Sequence, residues 1–192
     1  MARRARNPSN APSPRNETVA GRWRPNLSWV TADLAIGGSF PNGAAGYLAA
    51  EHRIGAVIDV RSEACDDEVE LAAAGLRFLH LPTEDHAAVD QGMLDRGVGF
   101  ARDAAAEVRR LLVHCEHGIG RSATVALCVM VDRGYAPLEA LARAKAARNL
   151  VSPSPAQYQA WTAWLRRRAP TEEIPDFESF KAIAYSHLWL RA

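Results

Sequence analysis

Short continuous runs of apolar residues along this chain alternate with longer segments in which apolar positions recur at helical spacing. The continuous runs predict buried strands, and they cover residues 27–30, 34–36, 55–60, 76–81 and 111–115. The segments of helical spacing predict helices at residues 44–52, 67–74, 93–110, 122–133, 137–148 and 155–168. The order strand, helix, strand, helix, strand, then further helices predicts an α/β fold: a single domain with a central, largely parallel sheet flanked by helices.

Composition divides the 192 residues into three parts. Residues 1–22 are rich in Arg, Pro, Ser and Asn and have almost nothing to bury, which predicts a flexible basic N-terminal tail. Residues 23–170 carry the strands and helices of the predicted domain. Residues 171–192 are predicted to form a C-terminal tail that packs as a final helix, with a partner-binding helix as the alternative. Its apolar positions keep a roughly helical period, at Phe177, Phe180, Ile183, Ala184 and Leu188.

The charges nearly balance, with 23 basic and 22 acidic residues, so no global field favours nucleic acid or a membrane surface as a partner. The basic start is not followed by an apolar segment, so no secretory signal is predicted, and no apolar stretch is long enough to span a bilayer. The three cysteines, Cys65, Cys115 and Cys128, are few and lack metal-ligand spacing, which is typical of a reducing compartment. These features predict a cytoplasmic protein without a bound metal.

The densest chemical signal is the run His-Cys-Glu-His-Gly-Ile-Gly-Arg-Ser at residues 114–122. An apolar strand precedes it and a helix-compatible segment follows, so Cys115 ends the strand. The inward-facing N–H groups of such a loop and the positive end of the helix dipole form a phosphate-sized anion cradle beneath which the sulfur lies. The cradle and Arg121 favour the thiolate, which predicts a thiol pKa well below the free value of about 8.5. Gly118 and Gly120 fit positions that need a positive φ or leave no room for a Cβ.

This run resembles the signature loop of the protein-tyrosine-phosphatase superfamily, His-Cys-x5-Arg-Ser/Thr, and more closely that of its dual-specificity branch. Three upstream segments are also similar to that branch: residues 34–38 to its entry segment, 57–63 to its second core strand, and 81–86 to its general-acid loop. The resemblance covers roughly residues 27–168. It implies a cysteine-phosphatase type of fold and the activity of a protein-tyrosine/dual-specificity phosphatase. Such an enzyme is a phosphomonoester hydrolase that works through a phosphocysteine intermediate and needs no cofactor.

In such an enzyme Cys115 is the nucleophile that attacks phosphorus. Arg121 binds the phosphoryl oxygens with its planar fork and stabilises the charge of the transition state. Ser122 donates a hydrogen bond to the sulfur and so makes it a better leaving group; the alternative is a plain residue at a helix start. The substrate phosphate is predicted to bind to the loop of Glu116, His117, Gly118, Ile119, Gly120 and Arg121.

The leaving alcohol or phenol needs a proton from an acid on a separate, mobile loop. Asp85 is the predicted acid, because it follows a strand whose carboxyl end is expected beside the cysteine. Glu84 and Asp90 remain alternatives. Glu84 and Asp85 do not both face the site, since side chains alternate in direction along an extended segment.

Three further residues have both a structural and a functional interpretation. Cys128 lies on the apolar face of the helix after the motif, and core packing is predicted for it. Cys65 follows a strand near the same sheet edge, where an inert loop thiol is predicted and a protective disulfide with Cys115 is the alternative. Gln157 either belongs to a late loop that approaches the active site in some relatives or is a surface residue at a helix start.

The predicted partner is a phosphorylated protein, modified above all on tyrosine, or a small phosphoester. A phosphatase of inositol phosphates or phosphoinositides is the alternative, because Cys-Glu-x-Gly-x-Gly-Arg in some such relatives partly matches residues 115–121. The lack of a lysine in this loop weighs against it. A catalytically inactive phosphoprotein-binding module is an alternative of another class, which the intact cysteine, arginine and acid candidate disfavour. The sequence predicts no oligomeric state.

Overall fold

The computed structural model describes residues 23–107 and 109–189, so the predicted N-terminal tail at residues 1–22 lies outside the described part. The strands are β1 (Leu27–Trp29), β2 (Leu34–Gly37), β3 (Ile54–Arg61), β4 (Arg77–Thr83) and β5 (Arg110–His114). The helices are α1 (Ala45–His52), α2 (Glu68–Ala73), α3 (Gln91–Ala106), α4 (Arg121–Asp132), α5 (Pro137–Ala147), α6 (Pro155–Arg168), α7 (Phe177–Ala184) and α8 (Ser186–Trp189).

Within the described residues, five strands form one sheet in the order β1-β2-β5-β3-β4. The edge strand β1 pairs with β2 in antiparallel fashion, and every other neighbouring pair is parallel. The α/β fold with a largely parallel central sheet, predicted from the order of elements, is therefore confirmed.

Apolar side chains of the central strand point alternately into two cores. From β5, Leu111 and Val113 join the larger core, to which α3 to α7 contribute, while Leu112 joins a smaller core with α1 and α2. All three side chains are buried. Burial on both faces explains why this strand is a continuous apolar run rather than an alternation of apolar and polar residues.

Capping side chains and the start of the next strand determine the bounds of α3. The carboxylate of Asp90 accepts hydrogen bonds from the N–H groups of Gly92 (2.8 Å) and Met93 (3.2 Å), so the helix begins earlier than predicted. It also ends earlier, at Ala106 instead of residue 110, because Arg110 already belongs to the central strand.

As far as the structure describes it, the segment after residue 170 packs against α5 and α6. Phe180 of α7 is buried and contacts the ring of Tyr158 in α6. The Lys145 ammonium of α5 donates a hydrogen bond to the carbonyl of Ala184 at 2.6 Å. Among the helices in the described ranges, none is both long and apolar enough to span a membrane.

Candidate active site

The site is built where three neighbouring strands end. β5 ends at His114 and α4 begins at Arg121, so residues 115–121, here called the cysteine loop, connect strand and helix tightly. β3 and β4 run parallel to β5 and end at Arg61 and Thr83 on the same edge of the sheet. The segments that follow these two strands therefore lie beside the cysteine loop.

The Cys115 thiol is buried and surrounded by hydrogen-bond donors. The Gly118 N–H donates to the sulfur at 3.3 Å, and the Ser122 hydroxyl lies 3.4 Å from it. Burial alone would raise the pKa of this thiol. Hydrogen bonds from the Ser122 hydroxyl and from the backbone N–H groups of Ser122, Gly118 and Ile119 outweigh burial and hold the pKa below its ordinary value. The direction of this shift is the one predicted from the sequence.

Replacing Ser122 by alanine is expected to raise the pKa of the Cys115 thiol, because a hydrogen bond to the thiolate is lost while burial remains. A hydrogen bond to a charged group contributes about 1.5–3 kcal/mol, so alkylation by iodoacetamide at neutral pH should slow by about tenfold or more. The measurement is the pH dependence of the alkylation rate. Ser152→Ala, a change at the cavity wall, is the matched control, and an unchanged Ser122→Ala profile would contradict the contact.

Both glycines of the cysteine loop are required by space. Gly118 has a φ of +69°, and a Cβ there would lie 2.5 Å from the carbonyl of Gly37. A Cβ on Gly120 would lie 2.4 Å from the side-chain oxygen of Gln157. The predicted reasons for glycine at these positions are confirmed. Gln157 is buried at the start of α6 and approaches the loop, so its interpretation as a surface residue is wrong.

Arg121 is buried, and its terminal nitrogens are already bound by protein groups. Both donate to the Glu63 carboxylate at 2.7 Å, and Nη1 also donates to the carbonyl of Thr83 at 2.9 Å. Its Nε lies 3.3 Å from an oxygen of Asp85 but forms no hydrogen bond with any described residue. Since an unpaired buried donor is costly, this N–H is available to an anion in the site.

A cavity of about 280 Å³ opens over the cysteine loop. It is lined by Asp85, His86, Cys115, His117, Ile119, Gly120, Arg121, Ser152 and Gln157. Within the described chain, Arg121 is the only lysine or arginine among these lining residues. The cavity therefore offers an anion one fixed cation and the N–H groups of the loop.

The predicted phosphate-binding residues do not all face this cavity. His117, Ile119, Gly120 and Arg121 line it, and Gly118 contacts the sulfur instead. Glu116 does not line it: its side chain is half exposed, with Oε2 3.5 Å from Nη1 of Arg61. Its carboxylate is turned towards that arginine and away from the cavity wall.

The structure separates the three acid candidates. Asp85 lines the cavity beside Nε of Arg121. The Asp90 carboxylate caps α3 and accepts two backbone N–H bonds there. Glu84 is exposed, and its carbonyl accepts the Ala87 N–H to close a turn. Of the three acid candidates, all within the described residues, only Asp85 lies in the cavity with Cys115 and Arg121.

Sequence reasoning assigned no role to Glu63 or Arg148, which both support the site. The hydrogen bond from Arg121 lowers the pKa of Glu63 to about 2, so its carboxylate stays charged near neutral pH. Glu63 lies two residues after the end of β3, a strand parallel to β5, and this position is a signal that could have pointed to it. The buried Arg148 donates to the carbonyls of Gly118 (Nε, 2.7 Å) and His117 (Nη2, 2.7 Å). No local pattern marks Arg148, because tertiary packing brings it there.

A buried polar cluster lies behind the nucleophile. His114 Nε2 lies 2.7 Å from an oxygen of Asp66, and Arg61 donates to Asp59 at 2.9 Å and to Asp66 at 2.7 Å. Asp59, Asp66 and His114 are close enough together to hold a cation. The Arg61 guanidinium already forms ion pairs with both carboxylates, so the cluster is a buried ion-pair network at the end of the central strand.

The other two cysteines differ from the nucleophile in their surroundings, and all three are free thiols. Cys128 is fully buried in α4, which agrees with the predicted core packing. Cys65 is exposed at the residue level, yet local burial, followed by the charges of Asp59 and Asp66, raises the pKa of its thiol. A raised pKa disfavours the reactive thiolate and supports the inert loop thiol over the disulfide.

Fold and site together are typical of one class: an α/β domain in which a strand-to-helix loop presents an activated cysteine and an arginine is the arrangement of cysteine-dependent phosphatases. The family model "Dual specificity phosphatase, catalytic domain" matches residues 38–166. The chain belongs to this family, and the predicted enzyme class, a protein-tyrosine/dual-specificity phosphatase, is confirmed. No curated protein matches the sequence.

Several solved structures share the fold. The structure of PTPMT1 in complex with PI(5)P superimposes with a TM-score of 0.71 and 21% identity, covering 76% of this chain and 98% of that chain. The active form of Tk-PTP gives 0.67 and 22%, covering 74% and 97%. Human DUSP28 gives 0.62 and 22%, covering 76% and 96%. At such identities the likeness establishes the fold, while the family rests on the match of the family model.

Proposed function

We propose that this protein removes phosphate from phosphotyrosine, and further from phosphoserine and phosphothreonine, through a phosphocysteine intermediate. The observation that carries the proposal is the convergence of Cys115, Arg121 and Asp85 on one cavity. A thiolate, a fixed guanidinium and a carboxylic acid are the groups that two-step phosphoryl transfer needs.

In the first step the Cys115 thiolate attacks phosphorus while the bond from phosphorus to the leaving oxygen breaks. The N–H groups of the cysteine loop and Nε of Arg121 bind the phosphoryl oxygens and stabilise the charge that develops on them. Asp85 gives its proton to the leaving phenol or alcohol. The product of this step is phosphocysteine and a carboxylate at Asp85.

In the second step water attacks the phosphocysteine, and the Asp85 carboxylate accepts a proton from that water. The sulfur leaves as a thiolate, and inorganic phosphate is released. The Ser122 hydroxyl, 3.4 Å from the sulfur, stabilises the departing thiolate by a hydrogen bond. Asp85 is then protonated again and Cys115 is again a thiolate, so the cycle needs no other group.

The charges around the cavity favour a substrate with a single phosphate. Arg121 is the only lysine or arginine among the described lining residues, and Glu63 already shares its charge. The half-exposed Glu116 carboxylate, 3.5 Å from Arg61, does not line the cavity but adds a negative charge to the cysteine loop. Like charges at close range cost free energy, so a polyphosphate binds here at a disadvantage.

We expect a phosphotyrosine peptide to be hydrolysed with a kcat/KM at least about tenfold higher than that for inositol hexakisphosphate at neutral pH. Phosphate release from the two substrates and from a phosphoserine peptide, measured in parallel with and without chelator, tests this. Glu116→Gln should lower the ratio of the two kcat/KM values. Glu173 is an exposed carboxylate that does not line the cavity, so Glu173→Gln should leave this ratio unchanged. Faster turnover of inositol hexakisphosphate would make the inositol phosphate alternative the better function.

A phosphoinositide phosphatase is the second candidate, because one structure of similar fold is that of PTPMT1 in complex with PI(5)P. The same phosphate-release assay is therefore extended to a phosphoinositide presented in vesicles. A kcat/KM above that of the phosphotyrosine peptide would favour this candidate. Turnover of any of these substrates contradicts the catalytically inactive binding module.

We also propose a cytoplasmic location. The nucleophile and the other two cysteines are free thiols, which a reducing compartment preserves. A thiol whose pKa is lowered is readily oxidised elsewhere, so the chemistry of Cys115 itself favours such a compartment.

A further inference from the structure

The turn that carries Asp85 is tied to the start of α6 by one side chain. The Ser154 hydroxyl donates a hydrogen bond to the carbonyl of His86 at 2.7 Å. His86 directly follows the acid, and its φ of +59° is uncommon for a residue other than glycine. A tertiary hydrogen bond at this carbonyl therefore fixes the backbone immediately beside Asp85.

Packing does little to hold this turn, here called the acid turn (residues 84–87). The side chains of Asp85 and His86 are 58% and 85% exposed. Two of its hydrogen bonds are internal: Ala87 N–H donates to the Glu84 carbonyl, and His86 N–H donates to the Asp85 carboxylate, each at 3.1 Å. Its position relative to the cysteine loop therefore depends on bonds to neighbouring segments, among them the bond of Arg121 to the Thr83 carbonyl just before the turn.

The Ser154 hydroxyl uses its donor and an acceptor site at the same time. As N-cap of α6 its oxygen accepts the Gln157 N–H at 3.2 Å, and the Gln157 side chain accepts the Ser154 N–H at 2.8 Å. The one proton of the hydroxyl then points to His86. The cap and the contact with the acid turn are thus compatible, and the cap orients the contact.

The segment that precedes Ser154 is itself bound to the site. The Ser152 N–H donates to the carbonyl of Ile119 in the cysteine loop at 3.0 Å. The Tyr185 hydroxyl, at the end of α7, donates to the carbonyl of Pro153 at 2.8 Å. Ser154 therefore lies in a segment that is hydrogen-bonded to the cysteine loop, and its bond to His86 connects the acid turn to the same segment.

We propose that Ser154 is a positioning residue for the general acid: it holds the acid turn at a set distance from the cysteine loop. This inference rests on the proposed function, in which Asp85 is the acid. A displacement of about 1 Å between reacting groups costs about 10²-fold in rate. Loss of the Ser154 bond lowers the fraction of molecules in which Asp85 reaches the leaving oxygen, while the phosphate still binds to the cysteine loop.

Ser154→Ala and Ser154→Gly both remove the hydroxyl, and glycine is itself a favourable N-cap residue, so the second variant guards against a loss of folding. We expect kcat for phenyl phosphate, which has a poor leaving group, to fall about tenfold with KM unchanged. For nitrophenyl phosphate the fall should be smaller. Ser154→Thr keeps the hydroxyl and should restore the rate.

Asp176→Ala is the matched control for the lost cap, because Asp176 caps α7 through Ser179 and does not line the cavity. Its kcat should stay at the wild-type value. The decisive variant combines Ser154→Gly with Asp85→Asn: if Ser154 acts through the acid, the double variant is no slower than Asp85→Asn alone.

The positioning role would be overturned if Ser154→Gly lowered kcat tenfold both in the wild type and in Asp85→Asn. It would also be overturned if Ser154→Gly alone left kcat unchanged. An unchanged kcat for the Asp85→Asn single variant would overturn it as well, together with the acid assignment. That result is distinguishable from the failure of the Ser154 contact, because it is seen without any change at Ser154.

Discussion

Replacing Cys115 by serine is expected to leave less than about one hundredth of the wild-type turnover while substrate binding persists. The thiol has a pKa below its ordinary value because donors surround it, whereas a serine hydroxyl in the same place stays neutral and is a poor nucleophile. The N–H groups of the cysteine loop and Arg121 remain in the variant, so the phosphate is still held. Phosphate release from a phosphotyrosine peptide and calorimetric binding of that peptide measure the two effects separately.

Cys65→Ser is the matched control, since it makes the same atomic change at a cysteine that does not line the cavity, and it should keep the wild-type rate. Turnover of Cys115→Ser above about a hundredth of the wild-type rate would rule out the nucleophile assignment. Full activity of the control together with loss in Cys115→Ser would locate the chemistry at one sulfur, and it would identify the wild type as an enzyme rather than a binding module.

The three central strands, β2, β5 and β3, were predictable because they are buried on both faces of the sheet. In β5, Leu112 faces one core and its neighbours Leu111 and Val113 face the other, so the whole strand is apolar and stands out from its surroundings. The same property conceals the order of the strands. An apolar run without a polar face does not indicate which strand it pairs with. The pairing of β5 with β2 and β3 depends on packing across the whole domain.

The site was predictable where it is local in sequence. Cys115 and Arg121 belong to one loop, whose glycines and flanking elements specify the anion cradle. Arg148 reaches this loop only through tertiary contacts, so no sequence pattern selects it. Glu63 also binds there through a tertiary contact, and its place after β3 was the one sequence signal for it. Asp90 could not be separated from Asp85 by sequence, because a carboxylate that caps a helix and one that faces a cavity look alike until the helix start is known.

Asp85→Asn is expected to lower kcat for phosphotyrosine by about 10²–10⁴-fold, the usual contribution of a general acid. A nitrophenol leaves without full protonation, so kcat for nitrophenyl phosphate should fall less. The acid limb of the kcat–pH profile should persist in the variant, because activity still rises as the pH rises through the lowered pKa of Cys115. KM should change little, since the phosphate binds to the cysteine loop.

Asp90→Asn and Glu84→Gln complete the test with the same two substrates. Asparagine is as good an N-cap as aspartate, so Asp90→Asn should preserve α3 and keep a near-normal rate for both substrates. Glu84 is exposed, and Glu84→Gln should also be silent. If Asp90→Asn instead showed the dependence on the leaving group and Asp85→Asn did not, Asp90 would be the acid. Its two cap bonds would then have to break in each catalytic cycle, so replacing this cap would change the rate rather than only the stability of the helix.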